Sequence, residues 1–174
     1  MHIGIVSDTH VFMKTDFSGL IKRLRQHFGD VDLIIHAGDI CTLEFLEALE
    51  KVAPVEAVCG NSDDSSIRDK LDFVKFLNID KFRIGICHNE LSPSIIKQEN
   101  INIVISGHTH IPEIREEPGV LFLNPGSTTF PKSPPLNVKF QKRRVPLPTV
   151  IILELDGDIS SAFIYSFMVN EESS

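Results

Sequence analysis

The chain has 174 residues, 17 Lys+Arg against 24 Asp+Glu for a formal net charge of −7, and is 42% hydrophobic and 24% charged. That is the size and composition of one ordinary globular domain, which excludes a disordered or collagen-like chain. The acidic balance argues against general nucleic-acid binding, which needs surplus Lys and Arg, and no apolar run approaches the roughly 20 residues of a membrane span.

In chain order, Ile3–Val6 is a short β-type run that meets a charge at Asp8 before any signal-peptide core forms, so a cytoplasmic location is expected. From Phe17 to Phe28, Leu20, Ile21, Leu24 and Phe28 fall at helical spacing opposite Lys22, Arg23 and Arg25. Val31–Ile35 reads as a buried strand, 42–52 as a helix that Thr42 can cap, and Val55–Val58 as a third strand. This βαβαβ alternation implies a parallel sheet with helices packed over it. The rhythm then changes. Residues 72–79 and 82–87 read as two strands, a helix starts after Ser92-Pro93, and Ile101–Ile105 is another apolar run. Hairpins are expected at 112–117 with 119–123 and at 149–155 with 159–167. Helices early and hairpins late suggest two sheets, one mostly parallel and one more antiparallel. Residues 128–147 hold several prolines and the basic Lys132, Lys139, Lys142, Arg143 and Arg144 without one carboxylate, and read as a long irregular loop. Cys41, Cys59 and Cys87 sit in or beside apolar runs and read as reduced, buried thiols. The apolar tail around Phe163, Tyr165, Phe167 and Met168 is a candidate contact for a homodimer or higher homo-oligomer.

Five apolar runs end in a polar donor: Asp8-Thr9-His10, Gly38-Asp39, Gly60-Asn61, His88 and Gly107-His108-Thr109-His110. Loops at the C-terminal ends of parallel strands converge on one crevice, and alternate residues leaving a strand end point the same way. The set supplies two Asp, one Asn and four His. That exceeds the three or four ligands of a single catalytic zinc and leaves enough for two ions bridged by a carboxylate. Imidazole, carboxylate and amide oxygen together suit manganese, iron, nickel or zinc better than calcium. Taken singly, each has a plain structural reading: Asp8 or Asp39 as a helix cap, Asn61 with Asp63 and Asp64 as a turn, His88 as a core histidine. The joint pattern is what points to a metal site.

In order and strand context these motifs resemble the calcineurin-like metallophosphoesterase superfamily. Asn124-Pro125-Gly126-Ser127 further resembles its small single-domain phosphodiesterase branch of bacteria and archaea. The resemblance implies one α/β domain over 1–174, a four-layer αββα sandwich of two facing mixed β-sheets flanked by helices. It implies a metal set of Asp8, His10 and His110 for one ion, Asn61, His88 and His108 for the other, and Asp39 as the bridge. The activity it implies is phosphodiester hydrolysis by a hydroxide bridging two divalent ions, manganese first and nickel, iron or zinc next, with Asp39, Asn61 and His108 as the catalytic residues. His2 and His36 match no ligand position, and His27 reads as a helix-surface residue.

The chain departs from the superfamily in two places. Phosphatases of this type read Gly-Asn-His-Glu where this chain has Gly60-Asn61-Ser62-Asp63. A serine has no accessible proton near neutral pH, so strongly basic leaving groups are disfavoured and phosphodiesters preferred over phosphoproteins. After His88, Asn89-Glu90 stands where relatives usually have Gly-His. Ser62, Asp63, Lys139, Arg143 and Arg144 are the candidate contacts to a small phosphodiester or nucleotide-like substrate. The competing expectations are a non-catalytic scaffold of the same fold, as in a retromer subunit, and a phosphomonoesterase or nucleotidase.

Overall fold

The computed structural model describes residues 1–133 and 145–167. The elements run β1 (His2–Val6), α1 (Ser18–Phe28), β2 (Leu33–Ala37), α2 (Leu43–Glu50), β3 (Val55–Val58), α3 (Ser65–Arg68), β4 (Val74–Ile79), β5 (Phe82–Cys87), α4 (Pro93–Gln98), β6 (Ile103–Ile105), β7 (Pro112–Glu117), β8 (Val120–Pro125), β9 (Thr149–Asp156) and β10 (Ile159–Ser166). They form two five-stranded sheets, ordered β10-β9-β1-β2-β3 and β4-β5-β6-β8-β7. Among the described residues no helix is long and apolar enough to cross a membrane.

The side-chain alternation of the strands explains the layering. In β1, Ile3 and Ile5 point to the layer between the sheets, where they meet Ile84, Ile86, Ile103, Ile105 and Leu123 of the second sheet. Val6, with Ile34 of β2 and Ala57 of β3, points the other way and packs under Leu20, Leu24 and Phe28 of α1 and Phe45, Leu46 and Leu49 of α2. β2 is therefore buried along its whole length, as a near-continuous apolar run should be when covered on both faces. On the second sheet's outer face, Cys87, Leu91, Ile101 and Val104 form a smaller cluster. Each fully buried Ile, Leu or Phe contributes about 2 kcal/mol relative to exposure. The dry layer between the sheets thus fixes how their ends align, and with them the loops.

Both sheets are mixed and flanked by helices, as the resemblance implies, but the expectation of one mostly parallel and one more antiparallel sheet is corrected, as are several others. In the first, β1 pairs in parallel with β2, and β2 with β3, while β9 pairs antiparallel with β1 and β10. The late β9–β10 hairpin returns to the early sheet, so neither sheet is mostly parallel. Thr42 occupies the N-cap position of α2, but its side chain makes no cap hydrogen bond. Ser92 does cap α4 through the Ile95 amide, with Pro93 in its first turn. The one-turn helix α3, capped by Asp64 through the Ile67 amide, carries too few residues to show a periodicity. Of the 128–147 stretch, Thr128–Phe130 is tied down at the strand ends as described below, and 134–144, including Lys139, Lys142, Arg143 and Arg144, lies outside the described residues. Phe167 is buried in the core rather than presented to a partner, whereas Phe163 and Tyr165 of edge strand β10 are exposed; Met168 lies outside the described residues. All three cysteines are free and buried.

A candidate metal centre at the strand ends

The parallel strands β1, β2 and β3 of one sheet and β5, β6 and β8 of the other all finish at the same end of the sandwich. Asp8 and His10 follow β1, Asp39 follows β2, Asn61 follows β3, His88 follows β5, and His108 and His110 follow β6. The β1–β2 pairing continues past the strands: the amides of Asp8, His10 and Val11 donate to the carbonyls of Gly38, Asp39 and Ile40 at 3.0, 3.0 and 3.3 Å. The chain is not extended there. Asp8 (φ 51°), His10 (φ 44°), Asp39 (φ 59°), His108 (φ 70°) and His110 (φ 61°) are left-handed. Each Asp-x-His or His-x-His pair is thus brought to one side by left-handed turns, not by the strand alternation expected from spacing alone. Asp and His tolerate this conformation better than bulky apolar residues.

The donors converge. Asp8 lies with His10 and His110 in one group, and with Asp39 and His88 in a second, the ligand atoms of each within 4.8 Å of one another. Asp39 Oδ2 is 3.6 Å from His10 Nε2 and 3.3 Å from His88 Nε2. Asp8 Oδ1 is 3.4 Å from His110 Nε2 and 4.0 Å from the Nε2 atoms of His10 and His88. Asn61 Oδ1 joins the remaining two histidines, 3.1 Å from His88 Nε2 and 3.0 Å from His108 Nδ1.

The chemistry of this set fits a cation. His88 Nδ1 donates to the Ala37 carbonyl at 2.8 Å, and His110 Nδ1 to the Phe130 carbonyl at 2.7 Å. In the metal-binding form each ring then turns its Nε2 lone pair inward. His88 Nε2 then faces Asp39 Oδ2 and Asn61 Oδ1, and His110 Nε2 faces His10 Nε2 at 3.2 Å. The acceptors meeting these nitrogens need a positive charge between them, a metal ion or, in its place, a ring proton: His88 Nε2–H donated to Asp39 Oδ2, or His10 Nε2–H donated to His110 Nε2. Burial alone pushes the His88 ring towards neutrality, but Asp39, the Ala37 carbonyl and Asp8 more than reverse it, so its pKa is raised. Burial raises the Asp39 carboxyl too, yet hydrogen bonds from His88 and from the Ser62 amide and hydroxyl hold it well below the usual range. Asp8 is raised, chiefly by burial. His10 is lowered, again chiefly by burial, with both carboxylates opposing.

The surrounding residues were mostly missed from sequence. Asp63, expected as a substrate contact, is 2% exposed and turned into the protein. Its Oδ2 accepts from the amides of Gly60 (2.6 Å) and Asp39 (3.1 Å), and its Oδ1 from that of Cys41 (2.6 Å). It clamps two ligand loops together. Ser62 stays at the site, but its amide and hydroxyl are spent on Asp39 Oδ1 and Oδ2, at 2.7 and 2.9 Å. The Asn124–Ser127 segment also has a structural task. Asn124 Nδ2 donates to the Gly107 carbonyl at 2.7 Å, and Ser127 Oγ donates to the Asp8 carbonyl at 2.7 Å. Thr129 Oγ1 lies 3.0 Å from the Thr9 carbonyl. The His108 amide donates to Asp8 Oδ2 at 2.9 Å.

Two glycines are dictated by space. Gly38 has φ +87°, and a Cβ there would stand 2.6 Å from His88 Nδ1. At Gly60 a Cβ would stand 2.2 Å from Asp39 Oδ1. Of the histidines with no ligand role expected, His36 is wholly buried in β2, its Nε2 3.0 Å from Thr9 Oγ1. His27 is only partly on the surface and packs on Phe167. Asn89 and Glu90 are exposed, and together with His108 they line one end of a groove of about 1090 Å³ on the outer face of the second sheet. Cys41 and Cys87 have thiol pKa values pushed up to about 12, mainly by burial, and neither is a nucleophile.

Known proteins show the family to which this fold belongs. A probable metallophosphoesterase of Methanothermobacter thermautotrophicus is 36% identical over 170 residues, covering 91% of this chain and 88% of the relative. A phosphodiesterase of Methanocaldococcus jannaschii is 31% identical over 144 residues, covering 72% of this chain and 83% of that protein. Among solved structures, Vps29 of Entamoeba histolytica complexed with zinc superposes with a TM-score of 0.74 at 26% identity, over 99% of this chain and 95% of that one. A structure described as a novel archaeal phosphodiesterase gives 0.69 at 26% identity, over 95% of this chain and 100% of that one. Residues 1–157 match the calcineurin-like phosphoesterase superfamily domain, and the chain belongs to that superfamily.

Proposed function

We propose that the protein is a phosphodiesterase working with two divalent metal ions, manganese first, with nickel, iron or zinc as alternatives. Asp8, His10 and His110 would hold one ion, Asn61, His88 and His108 the other, and Asp39 would lie between. The observation that carries this reading is the position of Asp39 Oδ2, 3.6 Å from His10 Nε2 and 3.3 Å from His88 Nε2, nearer to both than Asp8 Oδ1 is. Presence of all four ligand histidines in one cluster supports catalysis over a scaffold role.

When bound, such ions place positive charge against the phosphate oxygens and supply an acidified water as nucleophile. The protein's own residues then do mostly positioning. Ser62 fixes the Asp39 carboxylate and Asp63 accepts from its amide, while Asn61 and His108, exposed at the mouth, face an arriving phosphate. Because the Ser62 hydroxyl is engaged with Asp39, no proton donor stands at the position where phosphatases of this superfamily carry a histidine. Esters of acidic alcohols, and diesters over phosphoprotein monoesters, are therefore the expected substrates. The same reading has the protein act in the cytoplasm on a small phosphodiester or nucleotide-like compound, with the exposed Phe163 and Tyr165 on edge strand β10 as a contact between two copies.

Metal analysis of the purified protein with a panel of bis-aryl and mono-aryl phosphates tests the reading. Manganese-dependent hydrolysis of the diesters is expected, and preference for monoesters refutes it. Asp39→Asn is expected to lose both ions together. Loss of one alone contradicts the bridge.

A further inference from the structure

Two exposed aromatic rings stand at the lip of the site. Phe12 is 51% exposed and Phe130 is 55% exposed, and Met13 beside them is 78% exposed. Both rings touch His10. Phe12 stacks on it with centroids 5.9 Å apart and planes 27° apart, and Phe130 meets it edge-on at 5.6 Å and 74°. His10 in turn lies 5.0 Å from the His110 ring. Neither phenylalanine belongs to the core clusters. Both are nevertheless held by backbone pinned to the ligand loops. The Phe12 amide donates to the His10 carbonyl at 3.1 Å. The Phe130 amide donates to Ser127 Oγ at 2.8 Å, and its carbonyl takes the His110 Nδ1 proton at 2.7 Å. Exposed aromatic side chains on fixed backbone, beside a polar site, are the arrangement that binds planar groups, since ring faces stack with little conformational entropy to lose.

We propose that Phe12 and Phe130 form an aromatic clamp that selects phosphate esters whose retained ester group is a nucleoside, its base lying against the two rings. The proposal rests on the phosphodiesterase reading above and assigns to it the two residues that recognise the base. With the phosphate at the mouth of the ligand cluster, the base extends past His10 towards Phe12 and Phe130. The two phenylalanines touch the bound ester but not the reacting atoms, so they determine specificity through binding.

The test compares adenosine 5′-monophosphate with methyl phosphate as ligands of the zinc-loaded protein by calorimetry. It also compares KM for thymidine 5′-(p-nitrophenyl) phosphate with KM for methyl p-nitrophenyl phosphate, which share a leaving group. Stacking of one base predicts at least tenfold tighter binding of the nucleotide, and a similar ratio in KM. In Phe12→Ala/Phe130→Ala the ratio is expected to fall below threefold, with zinc content as the check on the fold. Phe12→Leu, which keeps the apolar bulk but removes the ring face, is expected to lose part of the ratio and serves if the double variant does not fold. A ratio unchanged in the variants overturns the clamp. A ratio lost in the variants, in a protein that binds the nucleotide but hydrolyses neither ester, upholds the clamp and overturns the phosphodiesterase reading. Binding of neither ligand together with hydrolysis of neither ester overturns both.

Discussion

Replacing Asp63 distinguishes its position in the fold from its expected place in substrate binding. Its carboxylate accepts from three buried amides, those of Gly60 and Cys41 at 2.6 Å and that of Asp39 at 3.1 Å. A hydrogen bond to a charged group contributes roughly 1.5–3 kcal/mol, and a buried amide left without an acceptor costs roughly 1–3 kcal/mol. Asp63→Ala strips all three at once. Part of the loss is recovered by water entering the vacated space, which leaves an expected destabilisation of about 4 kcal/mol. Asp63→Asn keeps one acceptor oxygen, turns an NH₂ group on the other side and removes the charge, for about 2 kcal/mol. Against a total of roughly 5–15 kcal/mol for a domain, the alanine variant is at risk of unfolding and the asparagine variant is the one to measure. With a urea slope of about 1–3 kcal/mol/M, the midpoint of Asp63→Asn should fall by roughly 1 M in the presence of a chelator. Because two of the three amides flank Asp39 or Gly60, metal affinity should fall as well. A midpoint within about 0.3 M of the wild type, or a raised KM with unchanged stability and metal binding, refutes the clamp and restores Asp63 to the substrate side.

Gly60→Ala puts a Cβ 2.2 Å from Asp39 Oδ1 and 2.5 Å from the Asp39 amide nitrogen, so Asp39 must move. At least tenfold weaker manganese binding is expected by titration, and affinity within twofold of the wild type contradicts the packing account. The His36 ring is wholly buried and its pKa is lowered from 6.5 to about 3, first by burial and then by His88. A value depressed in the fold means the unfolded chain binds the proton first, so stability is complete above pH 6.5 and is lost as pH falls towards 3. At about 1.4 kcal/mol per pH unit, the loss from this group is about 2 kcal/mol at pH 5. In chelator, urea midpoints at pH 7.5 and pH 5 should differ by that amount more in the wild type than in His36→Leu, and equal pH losses in the two proteins assign the effect elsewhere.

The ligand loops were legible because each donor directly follows an apolar run, and a run of that kind ending in Asp, Asn or His leaves a trace within a few residues. Ile5-Val6 before Asp8, Leu33–Ala37 before Asp39, and Ile103–Ile105 before His108 all ended where the pattern put them. What was not legible depends on pairs far apart in the chain. The Ser127 hydroxyl meets the Asp8 carbonyl across 119 positions, and Asp63 meets the amide of Cys41 across 22. No periodicity records such a meeting, so Asp63 read as an available polar group and Asn124–Ser127 as a motif with no stated task. The sheet composition failed for a related reason. A hairpin pattern at 149–167 shows that β9 and β10 pair with each other, but not that β9 then adds to β1.

The reason so much hydrogen bonding surrounds the donors follows from their backbone. Five of the seven expected ligands are left-handed, and for an L-residue that conformation costs about 1 kcal/mol even where Asp and His soften it. The sum, about 5 kcal/mol, is comparable with the whole stability of a small domain. The donors also repel one another when charged: Asp39 contributes to raising Asp8, and His110 to lowering His10. A loop left to itself would relax out of this arrangement. It is held instead by groups that do not face the cleft: Asp63 on the Asp39 loop, Ser127 and the His108 amide on Asp8, and Asn124 on Gly107. Each sits on the end of a strand or just beyond one, anchored to the apolar layer between the sheets. Because the left-handed turns bring both members of a pair to one side, relaxing them would separate the two ligands by the same motion. The strain and the convergence of donors are therefore one property, and the residues that sustain it are the ones whose loss should disturb metal binding without touching a ligand.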